Sequence, residues 1–253
     1  MISTKQKHRI TLDTQKYVSI PNGDIQIPVH LQAELEDFKQ DWDNLELDQF
    51  LKGDSKFRWR RFNYFYYHPQ EDTLEVMPDV PFFQPAEENS YAGGINRTFS
   101  PLEQNTTDNK FMQELIKFSF WQTPESKDKK MANKPWKVEV HLVRVIASAK
   151  ELGEPTPEGI HRDGGESGFV YLMNRQNAKG GESAVYDNDK NLITRFTLTK
   201  PMDTMIFLDP DVMHSVSPIH PIDPTQPAIR DVFLVGFFYE PTLERPEKKF
   251  FKT

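Results

Sequence analysis

The chain has 253 residues, with 31 Lys and Arg against 38 Asp and Glu, a net charge of −7, and no cysteine. That balance argues against nucleic acid as a partner, since general binding to it needs a basic surface. Without cysteine there is no disulfide framework, and a metal has only His and carboxylates to hold it.

The opening Met1–Arg9 stretch lacks the apolar core of a signal peptide. No apolar run approaches the ~18 residues of a membrane span. A cytoplasmic location with no membrane partner is expected. Residues 8–20 hold two short alternating runs split by Asp13-Thr14 and closed by the turn Pro21-Asn22-Gly23-Asp24, the pattern of an edge hairpin. Pro28 then opens a helix, with Leu31, Leu35, Phe38, Trp42 and Leu45 as its apolar stripe. Residues 57–67 are aromatic with partial alternation. They read as a strand with aromatics on one face and Arg58 and Arg60 outward. The acidic chain disfavours the rival reading, an aromatic–basic surface for single-stranded nucleic acid. Residues 68–106 carry five prolines and Gly93-Gly94, including Pro78, Pro81 and Pro85. This long segment is either a lid or a passive surface loop. A second helix spans 108–121, with Phe111, Leu115 and Phe118 on one face.

From Trp136 the texture changes. Residues 137–147 are a β run. Short strands follow at 168–174, 183–187, 192–199, 203–208, 213–219 and 231–239, divided by turn residues. Helices bunched ahead of many short strands predict a mainly β protein, a double-sheet jelly roll braced by N-terminal helices. No repeat or linker divides the chain. One domain over 1–253 is expected, with residues 1–135 supporting a core at 136–240.

Within Gly159–Gly165, His161 and Asp163 stand two apart, so on an extended strand both side chains share a face. His214, just after the turn Asp209-Pro210-Asp211, is the candidate third ligand. Two His and one carboxylate with open positions suit a non-haem Fe(II) oxygenase, although a bare His-x-Asp is unspecific. Arg230 opens an almost wholly apolar run, Asp231–Phe238, of the kind buried on both faces. A guanidinium there needs an anion. A dicarboxylate cosubstrate, gripped bidentately, would supply one. So would a local carboxylate such as Asp223 or Asp231. His141 and Arg144 lie three apart on the preceding strand and face opposite ways. One of them can reach the pocket as a cofactor contact; the alternative is a hydrogen-bonded core His and a paired Arg. Gly180-Gly181 reads as a tight turn, Glu182 as a solvated or substrate-contacting turn carboxylate, and Asp209 and Asp211 as residues capping their own backbone.

Together, Pro155–Gly164, Asn174-Arg175, Gly180-Gly181-Glu182-Ser183, His214-Ser215-Val216 and Arg230-Asp231-Val232 carry a resemblance. In their order and spacing the sequence resembles the 2-oxoglutarate/Fe(II) dioxygenases that hydroxylate free L-amino acids, of the L-isoleucine 4-hydroxylase type. The resemblance covers roughly residues 136–240 and is specific in combination. It implies a double-stranded β-helix with Fe(II) held by His161, Asp163 and His214. It implies 2-oxoglutarate as cosubstrate, its far carboxylate on Arg230, and O2 as oxidant. The implied reaction hydroxylates an unactivated C–H bond, or oxidises the thioether, of a free aliphatic L-amino acid such as Ile, Leu or Met, releasing succinate and CO2. Some relatives carry Arg-x-Ser where this chain has Val232. Two rivals stand beside this reading: the same chemistry on a protein side chain, and a metal-binding jelly roll that senses a small ligand.

Overall fold

The computed structural model describes residues 1–246. In chain order the elements are β1 (Ser3–Thr4), α1 (Gln6–Gln15), β2 (Tyr17–Ile20), β3 (Ile25–Gln26), α2 (Gln32–Gln40), β4 (Glu46–Leu47), β5 (Arg58–His68), β6 (Thr73–Val76), α3 (Gln104–Asp108), α4 (Lys110–Gln122) and α5 (Lys129–Ala132). Then come β7 (Trp136–Ala147), β8 (Ser167–Gln176), β9 (Ala178–Gly180), β10 (Glu182–Tyr186), β11 (Leu192–Thr197), β12 (Thr204–Leu208), β13 (Met213–Val216), β14 (Ile219–Pro221) and β15 (Ala228–Phe238).

The main sheet is antiparallel, in the order β2-β12-β8-β15-β7-β5-β4 with β6 on β5. A smaller sheet, β11-β10-β13, and the pair β14-β9 complete a jelly roll. Strands β2, β4, β5 and β6 come from the first part of the chain, so the sheet extends well beyond residues 136–240.

Alternation along β7 shows how the sheet divides the molecule. Val138, Val140 and Leu142 point to one face, where Leu35 and Phe38 of α2 and Phe111 and Leu115 of α4 cover them. Val143 and Val145 point the other way, joining Leu172, Val185, Met205, Phe207 and Val232 between the sheets. A side-chain period of two makes this separation possible. Helix α4 starts where Asn109 caps it, its side chain accepting a hydrogen bond from the Met112 N–H at 2.9 Å. Phe38 meets Phe233 of β15 edge-on, with ring centroids 5.1 Å apart, which ties α2 to the sheet.

Several expectations change. Residues 6–15 form a helix and not the first arm of a hairpin. Its buried positions are His8 and Leu12, four apart, and His8 Nε2 lies 2.7 Å from the Asp24 carboxylate. A polar residue on the buried stripe hides the helical period from an apolar count. The second arm is a strand, but it pairs with β12. The helix expected from Pro28 to Leu45 is α2 flanked by two short 3-10 turns, Val29–Leu31 and Asp41–Asn44. The run 213–219 splits into β13 and β14 at Ser217-Pro218, where proline has no N–H to give a ladder. Arg58 and Arg60 are not outward: each is buried, on the face between the sheets. On the other face of β5, Phe65 and Tyr67 join the core beneath the helices while Trp59 and Arg61 stay partly exposed. Among the described residues no helix is long and apolar enough to cross a membrane.

Phe38 is fully buried and truncation leaves a cavity between α2 and β15. Phe38→Ala is expected to destabilise the fold by about 3–5 kcal/mol, read as a lower urea midpoint at an unchanged slope.

Candidate metal centre and its cavity

The metal-binding loop docks on β13 through backbone hydrogen bonds. The His161 N–H donates to the His214 carbonyl and the His214 N–H to the His161 carbonyl, both at 3.0 Å. This brings the two imidazole centroids within 4.2 Å of each other. Asp163 Oδ1 lies 3.5 Å from His161 Nε2, and Asp163 Oδ2 lies 4.0 Å from His214 Nε2. One ligand atom from each residue falls within 4.8 Å of the other two. His161 Nδ1 sits 3.0 Å from the Gly159 carbonyl. A carbonyl only accepts, so Nδ1 carries a proton there, and Nε2 is the nitrogen that would offer its lone pair to a metal once its own proton has left.

Two residues hold this arrangement from behind. Asp209 does not cap its own turn. Its Oδ1 accepts from the Asp163 N–H at 2.9 Å and its Oδ2 from the Gly164 N–H at 2.7 Å, across 46 residues of chain. Phe207 supports the His214 ring, with centroids 4.2 Å apart. Phe207 in turn occupies the space beside Gly168, where a Cβ would stand 2.2 Å from its ring.

The electrostatics suit a cation. Burial works against ionising Asp163, but the two imidazoles beside it outweigh burial and hold its carboxyl below the usual range. Burial, with His161 alongside, pushes His214 down to about 3, so it is neutral. Burial also opposes a charge on His161, but Asp163 and Glu158 overcome it and lift that imidazole to about 9. An ionised carboxylate and two imidazoles on one side of a metal, with positions left for exchangeable ligands, fit ferrous iron.

The triad opens on a cavity of about 140 Å³ between the sheets, with Arg230 also on its wall. Arg230 is 2% exposed, and its Nε and Nη2 have no hydrogen-bond partner. Neither expected local carboxylate answers it. Asp231 is buried on the opposite face of β15 and binds Arg144, at 2.8 Å to Nε and 2.9 Å to Nη2. Asp223 binds Thr225 in an exposed turn. Arg175 instead stands opposite Arg230 in the β8–β15 register. Its Nη2 donates to the Ala178 and Gly180 carbonyls, and its Nη1 has no partner. Burial and this neighbour push Arg230 down to about 10. Two like charges facing each other in a buried register call for an anion. Gly181 makes room for both: at φ +66° it turns the chain, and a Cβ there would stand 2.9 Å from Arg175 Nη1.

Arg144 does not reach this cavity. It lies on the opposite face of β7 from His141, paired with Asp231 and with Asp43 at 3.1 Å. His141 does line the cavity; its Nδ1 accepts from Arg60 Nη2 at 2.5 Å, and its ring stacks on Phe62 at 4.6 Å. Glu182 faces Arg195 at 3.8 Å and is absent from the cavity wall. Residues 77–100 supply part of that wall through Phe82, Gln84, Asn89, Tyr91 and Arg97.

The model of the 2OG-Fe dioxygenase family matches residues 39–236. The chain belongs to that family. L-isoleucine-4-hydroxylase of Bacillus thuringiensis is 28% identical over 205 residues, covering 78% of this dioxygenase and 82% of that protein. 3(1)-hydroxy-L-isoleucine 4-dioxygenase of Pantoea ananatis is 25% identical over 205 residues, 81% of each chain. Among solved structures, a bsmA homologue from Methylobium petroleophilum PM1 matches with a TM-score of 0.80 at 25% identity, over 97% of this chain and 96% of that one. IDO from Bacillus thuringiensis matches the fold with a TM-score of 0.73 at 20% identity, over 93% and 95%. The dioxygenase therefore uses Fe(II), 2-oxoglutarate and O2, and His161, Asp163 and His214 form the group that fits the iron.

Two outcomes are expected of the metal centre. His161 holds a proton up to about pH 9 in the metal-free dioxygenase, and metal uptake must expel it. Apparent Fe(II) affinity, titrated anaerobically, should rise about tenfold per pH unit from about pH 7 and level off near that value; a flat profile would contradict it. Asp209→Ala leaves the Asp163 and Gly164 N–H groups unanswered. It should weaken metal binding about 10- to 100-fold, with Asp209→Asn losing less because it keeps one acceptor.

Proposed function

We propose that this dioxygenase hydroxylates a free aliphatic L-amino acid, converting 2-oxoglutarate to succinate and CO2. The observation that carries the reading is the cavity beside the triad, which is recessed between the sheets and walled by buried charged side chains as well as apolar ones. A small charged molecule suits such a space. A protein side chain would bring a backbone that must pass residues 77–100, which close part of the wall. The curated relatives' names point the same way, since both act on isoleucine or a hydroxylated form of it.

The roles follow from position. His161, Asp163 and His214 would hold the iron, which with 2-oxoglutarate and O2 supplies the oxidising power to break an unactivated C–H bond. The free N–H groups of Arg230, with Arg175 Nη1 beside them, would receive the far carboxylate of 2-oxoglutarate. Val232 offers no hydroxyl to that carboxylate, and Arg175 supplies a donor from the neighbouring strand in its place. The inner sheet faces exclude water and fix the substrate relative to the metal.

The test is a screen of the twenty amino acids for succinate release and for a gain of one oxygen by mass spectrometry. An aliphatic amino acid is expected to stimulate turnover, and His161→Ala to abolish it. Stimulation by none of the twenty would overturn the substrate reading. Arg230→Ala should raise the 2-oxoglutarate Kd about a hundredfold or more with iron still bound. An unchanged Kd would remove Arg230 from that role.

A further inference from the structure

The cavity holds a second set of buried charges that metal and cosubstrate leave unused. Arg60, Arg97 and Glu139 line it, none more than 7% exposed. Their neighbour Arg58 is accounted for, since its Nε donates to Asp48 Oδ2 at 2.8 Å. That carboxylate comes no closer to Arg60 than 3.8 Å. Arg60 Nη2 reaches only neutral His141, and Arg60 Nε has no partner. Arg97 Nη2 donates to Gln84 Oε1 at 2.7 Å, its Nε has no partner, and among the described residues no carboxylate pairs with it. The two guanidiniums rest on adjoining rings, Arg60 over Phe99 at 4.0 Å and Arg97 over Phe82 at 4.6 Å. Glu139 lines the same cavity, where the Tyr64 hydroxyl donates to it. The imidazole of His141 lies 3.8 Å away, and among the described residues no Lys or Arg forms an ion pair with it.

A pair of buried cations short of an anion, next to a buried carboxyl short of a cation, is costly unless something completes both. The complement of that pattern is a zwitterion. We propose that Arg97, with Arg60 beside it, binds the α-carboxylate of a free amino acid and that Glu139 binds its α-ammonium, leaving the side chain to face the metal. The assignment rests on the amino-acid reading above and explains why the substrate must be free: a residue inside a polypeptide carries neither charge. Burial, with the Asp163 charge adding to it, lifts Glu139 to about 8 against the pull of Lys137 and Arg60, and an ammonium in direct contact would draw it back towards the ionised form.

Arg97 also belongs to the loop that walls the cavity. Its backbone pairs with Phe82, N–H to carbonyl at 2.8 and 2.9 Å, so this ligand and the base of the loop are one unit. Substrate held by Arg97 on the loop and by Arg60 and Glu139 on the sheet therefore joins the loop to the barrel.

Anaerobic calorimetry on the Fe(II)- and 2-oxoglutarate-loaded protein separates the contacts. The probes are L-isoleucine, L-leucine and L-methionine, then the amine lacking the carboxylate and the acid lacking the ammonium of whichever binds most tightly. Arg97→Gln is expected to weaken the amino acid and the acid about 10- to 100-fold and to leave the amine unchanged. Arg97→Lys should recover part of the loss, since it keeps the charge without the fork. Glu139→Gln should weaken the amino acid and the amine about tenfold and spare the acid. If Arg97→Gln weakens the amine and the amino acid alike, Arg97 only supports the loop, and the assignment falls while the amino-acid reading stands. If none of the three amino acids binds the wild-type protein, that reading falls and takes the assignment with it.

Discussion

The two backbone hydrogen bonds between His161 and His214 are the constraint on which the centre depends. Neither imidazole is placed by its own rotamer alone. The Gly159–Gly165 loop is pinned to the first residues of β13, and β13 is pinned to β10 by a register that runs from Ser183↔Val216 to Tyr186↔Met213. Asp209 then fixes a part of the loop beyond this bridge, the peptide N–H groups of Asp163 and Gly164. The Asp163 carboxylate is left free to face the imidazoles. A metal site built this way is preformed by main-chain geometry, and its side chains need little reorganisation.

The interior beyond the triad follows from alternation in three adjacent strands. On β5, β7 and β15 the residues facing the helices are mainly apolar, while the opposite face presents Arg58, Arg60, Glu139, His141 and Arg230. Such side chains in a core would ordinarily pair among themselves. Among the described residues the pairing is incomplete around Arg230 and Arg175 and around Arg60 and Arg97, and Glu139 beside the second pair has no Lys or Arg in an ion pair with it. Arg230, Arg60, Arg97 and Glu139 all line the same cavity. That distribution suits a cavity that takes up charged small molecules.

Much of this is legible in the sequence, and the gaps have physical causes. The triad can be read because a two-residue spacing fixes a shared face and because His214 follows a turn. The strands after Trp136 can be read because β-branched and aromatic runs alternate with turn residues. Arg58 and Arg60 defeat the reading because alternation reports that a strand has two faces but not which of them meets water. Residues 6–15 defeat it because His8 stands on the buried stripe. The outward position of Arg144 follows from its spacing to His141, but the choice between the two needs to know which face β15 and the helices cover. Asp209 is opaque because its partners lie 46 residues away, and nothing local distinguishes it from Asp211. Arg175 sits in plain view beside Asn174, yet only the β8–β15 register makes it a neighbour of Arg230.

Gly168 lies on the sheet with no side chain of its own, and the space beside it belongs to Phe207. The ring that fills this space is the one against which His214 rests. Even one added methyl would have to displace the aromatic, and the displaced aromatic would lean on an iron-binding imidazole. The geometry of the metal ligands thus reaches through two layers of contact to a position that brings no side chain to the site, and the smallest residue in the chain acts there as a spacer for coordination chemistry.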